Sequence, residues 1–413
     1  MFKHLTLKQR ESWFAFSLLA PTLLIVLAII IVPLLANFWI SVKPVELADL
    51  RPPEVTVFKR ARDEAGNVSL RYTLRNTSQE QSIKNVEFTD LLPASTTANS
   101  ELPAACHIQG QKLTCLYPKF EPKQRERFTL TLSGLTPEEA KETATSLTFE
   151  SSNPIFNQPF TLDNFDKLFN WGEFNSVLWV SFVYTIGSTG GALLLGLGAA
   201  LVLKEQFPGR GAVRGLLLFP YVAPVIAVAF TWITLLDPTS GTVNSLLIEL
   251  GILEAPINFL GQRSTDLELL GLAVEWPVAL SSVIVFESWR YFPLAFLFIL
   301  ARMASISEEM YEAAEIDGAT PFQQFRFLSL PMLAAILAVL FLLRFIWNFN
   351  KFDDIFLLTG GAAGTRTLTV SVYEQAIALG NIGAGAAVAV IVFFVLLVCS
   401  LSIIKFSPTE ANS

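Results

Sequence analysis

A chain of 413 residues that is 52% hydrophobic, holds 34 phenylalanines and has a mean hydropathy of +0.50 carries too much apolar surface for a soluble domain, and so reads as a membrane protein. The formal charge of -7 says little about nucleic acid, and with no basic cluster arguing for it no nucleic-acid partner is expected. The only histidines, His4 and His107, are far apart, and Cys106, Cys115 and Cys399 form no cluster with them, which leaves no His or Cys constellation for enzyme chemistry.

Residues 1–12 carry Lys3, Lys8 and Arg10 ahead of an apolar run from Trp13 to Ile40. That run is too long for a signal-peptide core and lacks a clean cleavage site, so residues 13–42 are expected to be a retained first span. Pro21 and Pro33 are expected to kink it.

From residue 43 to 164 the composition changes. Runs such as NVSLRYTLRNTS, NVEFTDLLP and ERFTLTLSGL alternate in period two between turn residues, the pattern of short strands in a β-sandwich. Over Val55 to Leu135 the wording resembles the immunoglobulin-like repeat domains of bacterial surface proteins, in which a strand ending in Arg-Asn-Thr precedes one ending in Asp-Leu-Leu-Pro. Cys106 and Cys115 flank Gly110 and are expected to meet across a hairpin as a disulfide; the alternative is two buried free thiols.

The remaining apolar runs are Val177–Leu203, Val213–Leu236, Pro277–Arg302, Pro331–Trp347 and Gly383–Ile404, which with the first run make six. Pro220 and Pro224 mark the third as a broken helix beside a cavity. Asp237 to Glu275 reads as a loop with a short amphipathic piece near Val243 to Leu250. With residues 1–12 inside, Lys204, Arg210, Arg214, Arg302, Arg326 and Lys405 also fall on the cytoplasmic side, as do residues 407–413. The fold class expected is therefore an all-α polytopic membrane protein of six transmembrane helices with an inserted extracytoplasmic β-sandwich.

Between the fourth and fifth runs lies a polar stretch, residues 304–331. A helix can start after Ser307 and end at Gly318; Thr320, Pro321 and Gln323 then fit the N-cap, N1 and N3 positions of a second short helix. Glu312, Ala313, Ala314, Asp317, Gly318, Leu328, Leu330 and Pro331 resemble the EAA loop of bacterial ABC importer permeases, with Leu328 in place of the usual Ile. The sequences NKFDDIFLLTGG and GNIGAGAAVAV are similar to carbohydrate-uptake permeases, particularly the maltose-type subunit with its extracytoplasmic insertion. The likeness covers about Phe160 to Phe406, so residues 165–406 are expected to form a five-helix type I permease core in the bacterial inner membrane.

The resemblance implies that Glu312, Ala313, Ala314, Asp317, Gly318, Leu328 and Pro331 form the coupling element docked in a cytoplasmic ATPase. The chain contains no G-x-x-x-x-G-K-[ST] phosphate loop, so ATP and Mg are expected on an ABC ATPase dimer and no cofactor on this chain. A second permease, an extracytoplasmic solute-binding protein, a sugar or polyol substrate and membrane lipid complete the implied partners.

Charge within a span costs about 2.5–3.5 kcal/mol on insertion scales and usually marks a cavity or an internal pair. Glu287, Trp289, Arg290 and Tyr291 lie within the fourth run, and Arg344, Asn348 and Lys351 are expected on one helical face near the end of the fifth. By resemblance these regions form the sugar path. Two readings stand for them: sugar contact, or a structural pairing of Glu287 with Arg344 or Arg290. Tyr184, Asn175, Asp353 and Asp354 read as structural. A membrane-anchored receptor or assembly factor with an external sandwich is the alternative function.

Overall fold

The computed structural model describes residues 7–64, 67–78, 81–92, 102–133, 136–141, 145–269 and 272–406; the expected tail at 407–413 and residues 1–6 of the N-terminal segment lie outside them. The chain divides into two compact units, one of Val42–Thr161 with Gly380–Gly383 and one of the remaining helical residues.

Among its described residues the first unit holds seven strands: β1 Val55–Glu64, β2 Asn67–Asn76, β3 Ile83–Leu91, β4 Cys106–Gln109, β5 Lys112–Phe120, β6 Arg125–Ser133 and β7 Thr145–Glu150. They form two antiparallel sheets, ordered β1-β2-β6 and β4-β5-β3-β7. The sequence alternation sets which side chains turn inward. Val68, Leu70, Tyr72 and Leu74 of β2 join Phe128, Leu130 and Leu132 of β6 and Phe88, Leu113 and Phe120 of the other sheet in a single core. Within it the buried Asp90 accepts a hydrogen bond from Tyr72 and pairs with Lys59 at 2.8 Å. Burial and the neighbouring carboxylate hold the Tyr72 hydroxyl far above its usual pKa.

Cys106 and Cys115 stand opposite one another in the β4–β5 ladder and are joined by a disulfide, while Cys399 is free. Denatured protein is expected to titrate one thiol before reductant and three after it. Replacing both hairpin cysteines by serine is expected to lower the stability of this unit by about 2–4 kcal/mol, measured by denaturant unfolding with and without reductant.

Among the described residues the helical unit contains five helices long and apolar enough to cross a membrane: Trp13–Ser41, Phe174–Val202, Val278–Met303, Pro321–Phe349 and Ile382–Lys405. A sixth span is counted if the bent pair Arg210–Val222 and Val225–Leu235, which turns by 93°, is taken as one. The bend falls at Ala223 and Pro224, where the proline sequence placed the broken helix. The first span continues through Pro21 and Pro33 as a single helix. A π-turn at Leu27–Ile31 lies just ahead of Pro33 and covers the carbonyl to which the missing proline N–H would have bonded. The expected loop after the third span contains the helix Thr242–Glu249 and also a hairpin, Thr265–Leu269 with Leu272–Trp276, that the sequence reading did not include.

The second and fourth spans pack closely because glycine lets their backbones approach. A Cβ built on Gly196 would lie 2.7 Å from Ala295 Cβ and 2.8 Å from the Phe296 amide nitrogen. Farther along the same crossing the Ser288 hydroxyl donates to the Ser188 carbonyl at 3.3 Å.

Candidate functional site

The polar stretch between the fourth and fifth spans is built from its caps. The helix Glu308–Ile316 begins after Ser307 with Glu308 and Glu309 in its first turn, where they complement the helix dipole. It ends in a Schellman turn: the Ala319 amide donates to the Ala314 carbonyl at 2.9 Å and the Gly318 amide to Glu315 at 3.0 Å, with Gly318 at a φ of 78°. Thr320 then caps the next helix, its amide donating to Gln323 Oε1 at 2.7 Å in a reciprocal capping box.

That next helix is not short. Pro321 opens a helix that runs to Phe349, so the fifth span starts ten residues before the expected Pro331. Pro331 is accommodated by a π-turn at Phe325–Ser329, in which the Leu330 amide bonds back to Phe325 and Phe327 is no longer needed as acceptor for a proline that has no N–H.

Glu312, Ala313, Asp317, Gly318 and Pro331 are exposed, whereas Ala314 and Leu328 are half-buried. Beside them Ile316 is 86% exposed and Phe322 67%, two apolar residues that the sequence reading passed over. An apolar side chain on an amphipathic helix is normally assigned to the inward face, and these two are not. The two helices are tied together. Tyr311 and Ser329 share a hydrogen bond of 2.9 Å, and Lys204 at the end of the second span sits 3.5 Å from the Tyr311 ring centroid.

A second constellation lies inside the helical unit. Glu287 is fully buried and accepts a hydrogen bond from Arg344 at 2.9 Å. The Arg344 guanidinium lies 4.2 Å from the Tyr291 ring centroid, and Lys351 lies 4.6 Å from the same ring while donating to its hydroxyl at 2.5 Å. Lys351 also pairs with the fully buried Asp354 at 3.2 Å, and Asp354 sits beside Glu287. Lys351 is not on the helical face expected of it, because the helix ends at Phe349; it reaches the cluster from the turn that follows. Asn348 donates to the hydroxyls of Ser188 at 2.8 Å and Thr189 at 3.1 Å.

Six of the seven residues expected along the path thus converge: Glu287, Tyr291, Arg344, Asn348 and Lys351, with Arg290, whose guanidinium lies 5.5 Å from the Tyr291 ring centroid. Trp289 points elsewhere, about two hundred degrees around the helix from Glu287, whereas Arg290, three residues on from Glu287, stays on its side of the helix. Trp289 packs on Trp232 with centroids 5.5 Å apart, and Arg290 reaches the Ala223 carbonyl at 3.4 Å, at the break in the third span. Asp354, read from sequence as loop structure, belongs to the cluster, as does Tyr184, whose hydroxyl is buried without a partner. Their sequence signal was present in part: Ser181, Tyr184, Thr185 and Ser188 form a polar stripe at helical spacing along an apolar span, and all are buried.

The cluster sets the carboxylates of Glu287 and Asp354 beside Arg344, Lys351 and Arg290, with acceptors left over. Glu287 Oε2 and Asn348 Oδ1 are buried without hydrogen-bond partners, and so are the hydroxyls of Tyr184 and Thr185. Such groups can exchange hydrogen bonds with a hydroxylated solute.

Residues 192–407 match the family model described as "Binding-protein-dependent transport system inner membrane component". The chain is 33% identical over 247 residues to the inner membrane ABC transporter permease protein YcjO of Escherichia coli K12, covering 59% of this chain and 78% of that one. It is 31% identical over 253 residues to the trehalose/maltose transport system permease protein MalF of Thermococcus litoralis, covering 61% and 81%. Among solved structures it is similar to a bacterial ABC transporter involved in the import of the acidic polysaccharide alginate, with a TM-score of 0.52, 25% identity and coverage of 61% and 85%. The strands of the first unit precede the residues matched by the family model. With the family model spanning more than half of the chain and the helical fold in agreement, the chain belongs to the inner membrane components of binding-protein-dependent transport systems, the permease subunits of ABC importers that rely on a separate chain for ATP hydrolysis.

Proposed function

We propose that this permease carries a sugar or related polyol across the bacterial inner membrane by alternating access, together with a second permease, an ABC ATPase dimer that binds ATP and Mg, and an extracytoplasmic solute-binding protein. The relatives named for trehalose/maltose transport support the substrate class. The observation that carries the mechanism is the bracing of the Glu308–Ile316 helix against the fifth span through Tyr311 and Ser329, beside the exposed Ile316 and Phe322. An apolar knob flanked by the small side chains of Ala313 and Ala314 suits a groove on the ATPase. A rigid tie passes the movement of that groove to the span that carries Arg344 and Asn348.

In this reading residues 1–12 and 407–413 face the cytoplasm, residues 43–164 form an extracytoplasmic immunoglobulin-like sandwich, and the buried polar cluster lies along the solute path. The family match gives no support to the receptor reading.

The tie supplies a test. Tyr311→Ala removes the hydrogen bond to Ser329 and the ring beneath Lys204. Binding-protein-stimulated ATP hydrolysis is expected to persist in proteoliposomes while sugar uptake per ATP falls by about twofold to thirtyfold, the range of 0.5–2 kcal/mol of coupling. Unchanged uptake per ATP refutes the lever.

A further inference from the structure

The outward face of the β1-β2-β6 sheet is a band of arginine. Arg60 and Arg62 from β1, Arg71 and Arg75 from β2, and Arg125 and Arg127 from β6 line one groove of about 360 Å³, all six exposed. The register sets like charges directly against each other: Arg60 opposes Arg71, and Arg75 opposes Arg125. Cross-strand pairs of like charge destabilise a sheet. Among the described residues no carboxylate forms an ion pair with any of the six. The chain as a whole is acidic, with a formal charge of -7, so this face is a local concentration of charge.

We propose that this face is a binding site for an acidic oligosaccharide, a chain of sugar rings bearing carboxylates or sulfates. Guanidinium groups bind such anions in bidentate fashion, and neighbouring strands about 4.8 Å apart, with alternate residues about 6.7 Å apart along each strand, offer a row of them to a repeating anion. The remaining lining fits the rings. Ser69 and Thr73 stand between the arginines with hydroxyls, and Phe58, 55% exposed, offers a flat apolar surface for the C–H face of a sugar. The groove falls within the size range of small-ligand pockets. A membrane surface calls for a flat basic face, and an acidic protein leaves the Phe58 ring without a defined role. Filling the groove also removes the repulsion that the free sheet carries.

The proposal does not rest on the transport reading, because its measurement is binding by the intact purified protein and not uptake. Full-length protein in detergent is titrated by calorimetry with oligogalacturonate as the carboxylated probe. Malto-oligosaccharide serves as the neutral control, polyglutamate as the acidic peptide and phosphatidylglycerol vesicles as the anionic lipid surface. Oligogalacturonate is expected to bind about tenfold or more tightly than any of the three, with affinity falling as salt rises. The double variant Arg71→Gln, Arg127→Gln is expected to lose that binding by about tenfold or more while melting no lower than the unaltered protein, since it relieves repulsion. If that variant fails to fold, Arg60→Gln with Arg125→Gln removes one partner from each opposed pair and is held to the same outcome. Absence of oligogalacturonate binding, equal or tighter binding of any control, or undiminished binding by a folded variant overturns the proposal.

Discussion

Arg344→Ala is expected to destabilise the helical unit by about 3–5 kcal/mol, because it leaves the fully buried Glu287 without its hydrogen-bonding cation. At the centre Glu287 pairs with Arg344 and Asp354 with Lys351. Each pair is neutral. Removing one member leaves an uncompensated charge in a site that water does not screen, whereas removing a pair leaves a neutral remainder. The double variant Glu287→Leu, Arg344→Met is therefore expected to recover most of the stability lost by Arg344→Ala, read as the thermal midpoint in detergent.

Transport by the double variant separates the two roles that the cluster can have. A purely structural pair is replaceable by well-packed apolar side chains, and uptake then returns with stability. If the pair also meets the solute, its loss removes hydrogen bonds to charged groups worth about 1.5–3 kcal/mol, and the half-saturation constant for uptake rises by about tenfold or more. The second outcome is the one expected, since Glu287 Oε2 and Asn348 Oδ1 remain free to accept beyond the pairing. Wild-type uptake by a stable double variant assigns the pair to the scaffold.

Much of this site was legible in the sequence because charge inside an apolar run is anomalous. Glu287 and Arg344 are conspicuous for that reason alone. Asp354 was not, because it follows the span in a stretch whose acids read as loop; only the packing of the helix Asp353–Thr359 brings it back to Glu287. Trp289 was drawn in by proximity along the chain, and helical geometry turns it to Trp232, while Arg290 reaches both the Tyr291 ring and the Ala223 carbonyl.

In the strands, alternation was enough to separate inward from outward residues, and the core over Val68 to Leu74 follows it. The arginine face was not visible from alternation. It depends on which outward residue of β1 stands beside which of β2 and β6, and register is a property of the paired strands. The early start of the fifth span was hidden by Pro331, which reads as a helix start when the π-turn that accommodates it is unknown.

Gly318 permits a graded test of the coupling element. At a φ of 78° it occupies the left-handed region, yet nothing lies within 4 Å of where its Cβ would be, so a side chain there meets no steric obstacle. The effect of substitution is therefore conformational, about 1–2 kcal/mol for an ordinary residue, smaller for asparagine and larger for a β-branched one. Because Gly318 is at the surface, that energy does not unfold the protein. It acts on the Schellman turn, and so on the angle at which Ile316 is presented relative to the helix from Pro321. Uptake in membranes with equal amounts of permease is expected to decline in the order Gly318→Asn, Gly318→Ala, Gly318→Val. The valine variant is expected to lose about tenfold, and the loss should be matched by weaker co-purification of the ATPase. If bulk at the interface were what mattered, asparagine would be more damaging than alanine. That inversion would remove the turn geometry from the mechanism and leave Gly318 as a simple contact position.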